Sequence, residues 1–362
     1  MNGQQAAVEA LGIAVAAHVP VLLWGPPGTG KTSAVRAMAD AMGWPCETVI
    51  ASIREPSDFA GLPVVSGDQV HFAAPRWARR LADSGGGLLF LDEISTAPPA
   101  VQAALLRVVL ERVVGDVDLP DGVVVVAAAN PPEQTADGWD LSAPLANRFC
   151  HLSWDVEAQT FAQGMAGGWP APHRPSLPED WESRLPHFRS LIAAFVTVRP
   201  GLTCEVPTDA ARAGRGWPSP RTWDMASRLW TAAMAAGAST EAETALVTGA
   251  VGDGAGVELL MWHEEMDLPD PEALLGDPEG TEVPERGDRA FAVLSAVAAA
   301  VAGEPTPERW LAGWKVLAKV GDHAPDVAAV PARVLAQCRP PGAVAPPEVK
   351  LFVPVLKDAG LL

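Results

Sequence analysis

Residues 19–35, VPVLLWGPPGTGKTSAV, constrain this chain more than any other stretch. VPVLLW (19–24) is a continuous apolar run rich in Val and Leu, closed by a Gly/Pro cluster. Such a run suits a strand buried on both faces, as in a parallel sheet. GPPGTGKT (25–32) follows, and then SAVRAMADAMG, where Val35, Met38, Ala39 and Met42 recur at helical spacing before Gly43 stops the helix. Strand, glycine loop and helix in that order is the setting the pattern G-x-x-x-x-G-K-[ST] requires. Gly25, Gly28 and Gly30 permit backbone conformations that aim several N–H groups into one concavity. The helix N-terminus adds partial positive charge beneath it. Gly25, Pro26, Pro27, Gly28, Thr29, Gly30, Lys31 and Thr32 are therefore the candidate phosphate cradle.

Lysine usage sharpens this reading. The chain has five lysines, Lys31, Lys315, Lys319, Lys350 and Lys357, so Lys31 is the only one before residue 315. A compact ammonium can reach β- and γ-phosphates, whereas a planar guanidinium fork does not fit the same cradle. Thr32 offers a hydroxyl to Mg²⁺.

Three later segments carry further chemistry. GGGLLFLDEIS (85–95) is a glycine-led apolar strand ending in Asp92 and Glu93. Asp92 can hold Mg²⁺ through water, and Glu93 can polarise an attacking water as general base. VVVVAAANPP (123–132) is another buried strand, ending in Asn130, whose amide can orient that water. An acidic turn and a turn-forming Asn before prolines are the plain alternatives. DLSAPLANRFCHLSW (140–154) reads as a helix leading into a short strand, with Arg148 at the junction.

In this order the motifs resemble the AAA+ ATPase superfamily. REPSDFAGLPVVSGDQVHFAAPRW (54–77), ANPPEQTADGWDLSAPLANRF (129–149) and WPSPRTWDMASRL (217–229) look like its MoxR and dynein-related branch. The resemblance covers roughly residues 8–235. It implies an α/β P-loop NTPase core, with a parallel sheet flanked by helices, then an all-α lid and a helical C-terminal extension. It implies Mg²⁺ and ATP as cofactors, with Thr32 and Asp92 at the metal, Glu93 at the water and Asn130 as first sensor. Arg148 would be a finger reaching a neighbouring subunit's nucleotide, and Arg221 a second sensor touching the γ-phosphate in cis. A homo-oligomeric ring, expected to be a hexamer, a protein client and a von Willebrand factor A-type partner are implied in the same way.

The segment 54–77 also reads on its own terms. Val64–Val65, Ser66–Gly67–Asp68–Gln69 and Val70–His71–Phe72 suggest a hairpin around a Gly-Asp turn. In the resembled branch this hairpin points into the central pore, making His71 and Phe72 candidate client contacts.

The expected domains are an α/β nucleotide domain at 1–155 with its hairpin insert at about 60–75, a Gly/Pro/Trp-rich linker at 156–184, a helical lid at 185–275 and a helical extension at 276–362. Composition bounds the partners. A net charge of −18 argues against a surface that tracks duplex phosphate. The thirteen tryptophans read as core rather than as stacking platforms. Cys46, Cys150, Cys204 and Cys338 have no metal-ligand spacing. No apolar run approaches the roughly 20 residues of a membrane span, and no secretory leader is visible, so a cytoplasmic protein is expected. The rival readings are a small-molecule kinase, a metal-chelatase motor subunit, a McrB-like nucleic-acid NTPase and a non-hydrolysing switch. Hydrolysis without acceptor, base specificity, DNA stimulation and the presence of Glu93 separate them.

Overall fold

A computed structural model describes residues 3–131, 139–169, 177–266 and 268–361. Residues 132–138 and 170–176, inside two stretches singled out above, lie outside the described residues. The chain divides into two compact units, Met1–Glu179 with Cys204–Val257, and Asp180–Thr203 with Glu258–Leu362.

The strands of the first unit are β1 (Val21–Trp24), β2 (Cys46–Ile50), β3 (Leu62–Ser66), β4 (Gln69–Ala73), β5 (Gly86–Asp92), β6 (Val113–Val114), β7 (Val117–Asp118), β8 (Gly122–Ala129) and β9 (Cys150–Ser153). Five of them form one parallel sheet in the order β2-β5-β8-β1-β9. The apolar runs of β1, β5 and β8 occupy its centre, where helices on both faces bury them. Leu22, Leu89, Leu91, Val125 and Phe149 share one core with Trp77, Val101 and Leu105 from the flanking helices. Register aligns the strand ends. Trp24 pairs with Ala129 and Leu91 with Ala127, so the carboxyl ends of β1, β5 and β8 lie side by side. Ligands of open α/β sheets bind at such an edge.

The hairpin forms where the turn signal placed it, with Val64 paired to His71 and Val65 to Val70 across Gly67–Asp68. His71 and Phe72 point to opposite faces, because neighbouring strand residues alternate. Phe72 shares its face with Pro63, Val65 and Val70. Val65 is 74% exposed and Phe72 44%. Neither strand edge is open along its whole length. Pro63 lacks an N–H on β3, and on β4 the Phe72 N–H donates to Asp116 Oδ2 at 2.7 Å while the Phe72 carbonyl accepts from the Asp116 N–H at 2.9 Å.

The helices Pro220–Ala236 and Thr240–Val251 pack on each other and on the N-terminal helix Gly3–Ala16 within the first unit. The first of them starts with a capping box between Ser219 and Thr222 and ends at Gly237 in the left-handed conformation. Trp223 and Trp230 are buried, as core residues at helical spacing should be.

The two units do not coincide with the expected segments. The stretch 156–184, expected as a linker, holds the helix Ala158–Gly167. The lid expected over 185–275 is divided: 204–257 go with the nucleotide unit, while 185–203 and 258–275 go with the C-terminal helices. The helix Leu185–Val198 buries Leu191, Ile192 and Phe195, and it packs along the helix Gly287–Gly303.

The second unit is wholly helical among the described residues. Its core sets Trp310 against Trp314 edge-on at 5.9 Å, and Trp314 against Phe352 at 5.6 Å. The Trp310 indole donates to the Leu335 carbonyl at 2.7 Å. A Trp310→Ala variant should lose about 3–5 kcal/mol of stability in denaturant unfolding. A loss under about 1 kcal/mol, the scale of an ordinary point change, would contradict this packing.

Candidate functional site

The glycine loop sits at the carboxyl end of β1, and each of its glycines has a local reason. A Cβ on Gly25 would press onto the Trp154 carbonyl oxygen, because β9 runs alongside. Gly28 and Gly30 have φ of 78° and 84°, in the left-handed region that favours glycine. Space around both is open, with nothing within 4 Å of an added Cβ. The helix Lys31–Met42 starts at once after Gly30, so its first amide groups face the same concavity. The loop is braced from behind, where Thr29 Oγ1 donates to the Pro26 carbonyl at 2.8 Å and Trp154 Nε1 to the Thr29 carbonyl at 3.2 Å.

Lys31 is 7% exposed. Its ammonium donates to the carbonyls of Gly25 at 2.6 Å and Pro26 at 2.9 Å, and to Asn130 Oδ1 at 3.3 Å. Burial lowers its pKa, and the Asp92 and Glu93 carboxylates pull it back up. None of the carboxylates bonds Lys31 directly among the described residues. An ammonium held only by neutral oxygens remains available to an anion.

Thr32 Oγ1 donates to Asp92 Oδ2 at 2.9 Å, joining the helix start to the end of β5. A hydroxyl and a carboxylate at that separation are hard oxygen donors, and they fit Mg²⁺, which keeps most of its waters. Glu93 follows with φ 57° and ψ 40°, a left-handed backbone that is uncommon for a side-chain-bearing residue. Ser52 Oγ donates to its Oε2 at 2.6 Å, and Asp92 Oδ1 takes the Glu93 N–H at 3.0 Å. Asn130 is fixed through its backbone, whose N–H donates to Ser95 Oγ at 3.2 Å. Beside Asn130 lies a cavity of about 30 Å³, room for one water, lined in part by Trp24, Ser95, Asp140 and Arg215.

The two candidate arginines form a separate group. Asn147 is buried, and its Oδ1 accepts from Ser219 Oγ at 2.9 Å and from Arg221 Nη1 at 3.3 Å. Its Nδ2 donates to the Trp217 carbonyl at 3.3 Å. Arg148 is the next residue, and its Nη1 donates to the Pro144 carbonyl. Burial and then the nearby Arg221 charge lower the Arg148 pKa. Two guanidinium groups therefore lie close together, and neither has a salt-bridge carboxylate among the described residues.

The structure thus joins Lys31, Thr32, Asp92 and Asn130 directly, with Glu93 adjoining, and sets Arg148 beside Arg221. Sequence reasoning missed Ser52, Ser95 and Asn147. Ser52 lies in a short 3-10 turn after β2 that no periodicity marks. Asn147 stands next to Arg148 in Asn-Arg-Phe, and that adjacency was the one available signal.

Residues 20–149 match the AAA domain of the dynein-related subfamily. Those residues form an AAA domain of that MoxR-like branch. The human ATPase family gene 2 protein homolog B is 37% identical over 135 residues, 35% of this chain and 16% of that one. Chaperone MoxR1 of Mycobacterium tuberculosis is 31% identical over 136 residues, 36% of this chain and 35% of its own. Protein MoxR of Methylorubrum extorquens is 34% identical over 111 residues, 30% and 32% of the two chains. The chain therefore spans about a third or less of these relatives' length. A full-length MCM homolog from Methanopyrus kandleri superposes with a TM-score of 0.38 at 18% identity, over 72% of this chain and 54% of that one. The AAA domain holds the phosphate loop, the Asp92–Glu93 strand, Asn130 and Arg148, while Arg221 lies beyond the matched residues. Among the described residues, no helix is long and apolar enough to cross a membrane.

Proposed function

We propose that the chain hydrolyses Mg-ATP at sites shared between adjoining copies and uses the cycle to remodel a protein client. The observation that carries this is the meeting of Lys31, Thr32, Asp92 and Asn130, with Glu93 adjoining, at the carboxyl ends of three neighbouring strands. In this reading the loop amides and Lys31 bind the β- and γ-phosphates. Thr32 and Asp92 hold Mg²⁺, which when bound neutralises the charge that develops on the phosphate oxygens. Glu93 takes a proton from the attacking water, and Ser52 fixes where that carboxylate waits. Asn130 orients the water against the γ-phosphate. Arg148, with Arg221 close beside it, neutralises charge at the transition state. Two like charges without a salt-bridge carboxylate support anionic targets, a neighbouring copy's nucleotide for Arg148 and the γ-phosphate in cis for Arg221.

A ring of copies, six by the resemblance, follows from Arg148 acting across an interface. Names of the MoxR relatives, one of them a chaperone, favour a protein client. The exposed hairpin face of Pro63, Val65, Val70 and Phe72 is the contact surface this reading assigns to the client, and a von Willebrand factor A-type protein is the first partner to seek.

Mixing tests the shared site. Arg148→Ala and Lys31→Ala should each be inactive alone, the first still binding ATP. Together they should regain turnover, because a mixed interface can pair an intact loop with an intact arginine. The expected rate is about a quarter of wild type if subunits mix at random, within the 10³–10⁵-fold effect of such arginines. Absence of recovery in demonstrably mixed assemblies would argue that Arg148 serves its own subunit.

A further inference from the structure

We propose that His151 is a positioning residue, tying the strand that leads into the phosphate loop to the turn that carries Arg148; this rests on the ATP-hydrolysing reading above. Trp24 ends β1 and precedes Gly25. An indole N–H can only donate. Trp24 Nε1 lies 2.8 Å from His151 Nδ1, so that nitrogen must be the acceptor. Burial, followed in order by the opposing Ala146 bond and the Arg215 charge, leaves the His151 pKa at about 4, so the ring is neutral and has one N–H. That proton sits on Nε2, which donates to the Ala146 carbonyl at 2.9 Å. Ala146 is the residue before Asn147 and Arg148. One imidazole therefore holds the entrance of the phosphate loop with one nitrogen and the arginine turn with the other.

Neighbouring groups fix the ring. The Trp24 and His151 rings lie within 13° of parallel at 6.2 Å, and the Arg215 guanidinium sits 3.7 Å from the Trp24 centroid. Arg215 belongs to the segment just before Ser219 and Arg221. The backbone ladder does not need these side chains, because β1 and β9 pair directly through Leu22–His151 and Trp24–Ser153. The added bonds set the distance between two parts of the site. A displacement of about 1 Å there can cost on the order of a hundredfold in rate.

The test compares His151→Phe, His151→Gln, Trp24→Phe and the double variant Trp24→Phe/His151→Phe in the full chain. Phenylalanine keeps the ring and loses both bonds. Glutamine keeps an amide N–H that can reach the Ala146 carbonyl and an amide oxygen that can accept from the Trp24 indole. Affinity for a fluorescent ATP analogue is read by titration, separately from turnover. His151→Phe should bind within about threefold of wild type and keep its KM, yet lose about tenfold or more in kcat. His151→Gln should recover most of that loss. Trp24→Phe breaks the same tie from its other end, so the double variant should turn over no slower than His151→Phe. A kcat for His151→Phe within about twofold of wild type, affinity falling in step with kcat, or multiplying losses in the double variant would overturn the assignment. If His151→Phe does not fold, Trp24→Phe decides by the same criteria. A wild-type chain that releases no phosphate overturns the proposed function and this assignment with it, whereas an active wild type with unaffected variants overturns this assignment alone.

Discussion

Lys31→Ala should bind ATP roughly ten- to a hundredfold more weakly while keeping its fold. The ammonium bonds only neutral oxygens, so removing it strands no buried carboxylate. Thermal unfolding should stay close to wild type. The phosphates lose a charge-assisted donor worth about 1.5–3 kcal/mol, or roughly ten- to a hundredfold in affinity. Lys31→Arg should fare little better, because its fork would have to fit beside the Gly25 and Pro26 carbonyls that now take the ammonium. Nucleotide titration checks both variants. Near-normal affinity in Lys31→Ala would mean that the loop amides do the binding alone, and the explanation of the lone early lysine would be lost.

Glu93→Gln should separate binding from chemistry. The substituted amide is isosteric with the carboxylate and can still accept from Ser52, so the loop and Asp92 should stay in place. It cannot take a proton from water. Turnover should fall by about 10²–10⁴, the usual range for a positioned general base, with ATP affinity within a few-fold. The same variant should accumulate the ATP-bound assembly and serve as a trap for clients. Unimpaired phosphate release would remove Glu93 as the base, and Ser52 would then bond to a bystander.

Much of this site was readable in advance for a physical reason. Parallel strands buried on both faces leave continuous apolar runs, so β1, β5 and β8 stand out, and their polar ends are conspicuous. Gly67–Asp68 betrayed the hairpin because few residues accept its turn. The edge strand β2 was harder. β2, CETVI, mixes polar and apolar residues because the sheet covers it on one side only. The unit boundary was not readable at all. Leu185–Val198 is amphipathic like any lid helix, and only its packing on Gly287–Gly303, about a hundred residues on, assigns it to the second unit. Ser52 and His151 were invisible for a related reason, and Asn147 showed only through its neighbour Arg148. Each acts through a partner that folding brings to it, and single polar residues have no period to detect.

Steady-state phosphate release by the wild-type chain, followed across protein concentration with Mg-ATP and again with excess chelator, tests the central claim most directly. Specific activity should climb as copies associate, because each site borrows an arginine, and chelation should stop it. No phosphate release from dilute through fully assembled protein, or the same rate per chain throughout, would contradict a hydrolytic site completed by a neighbouring copy.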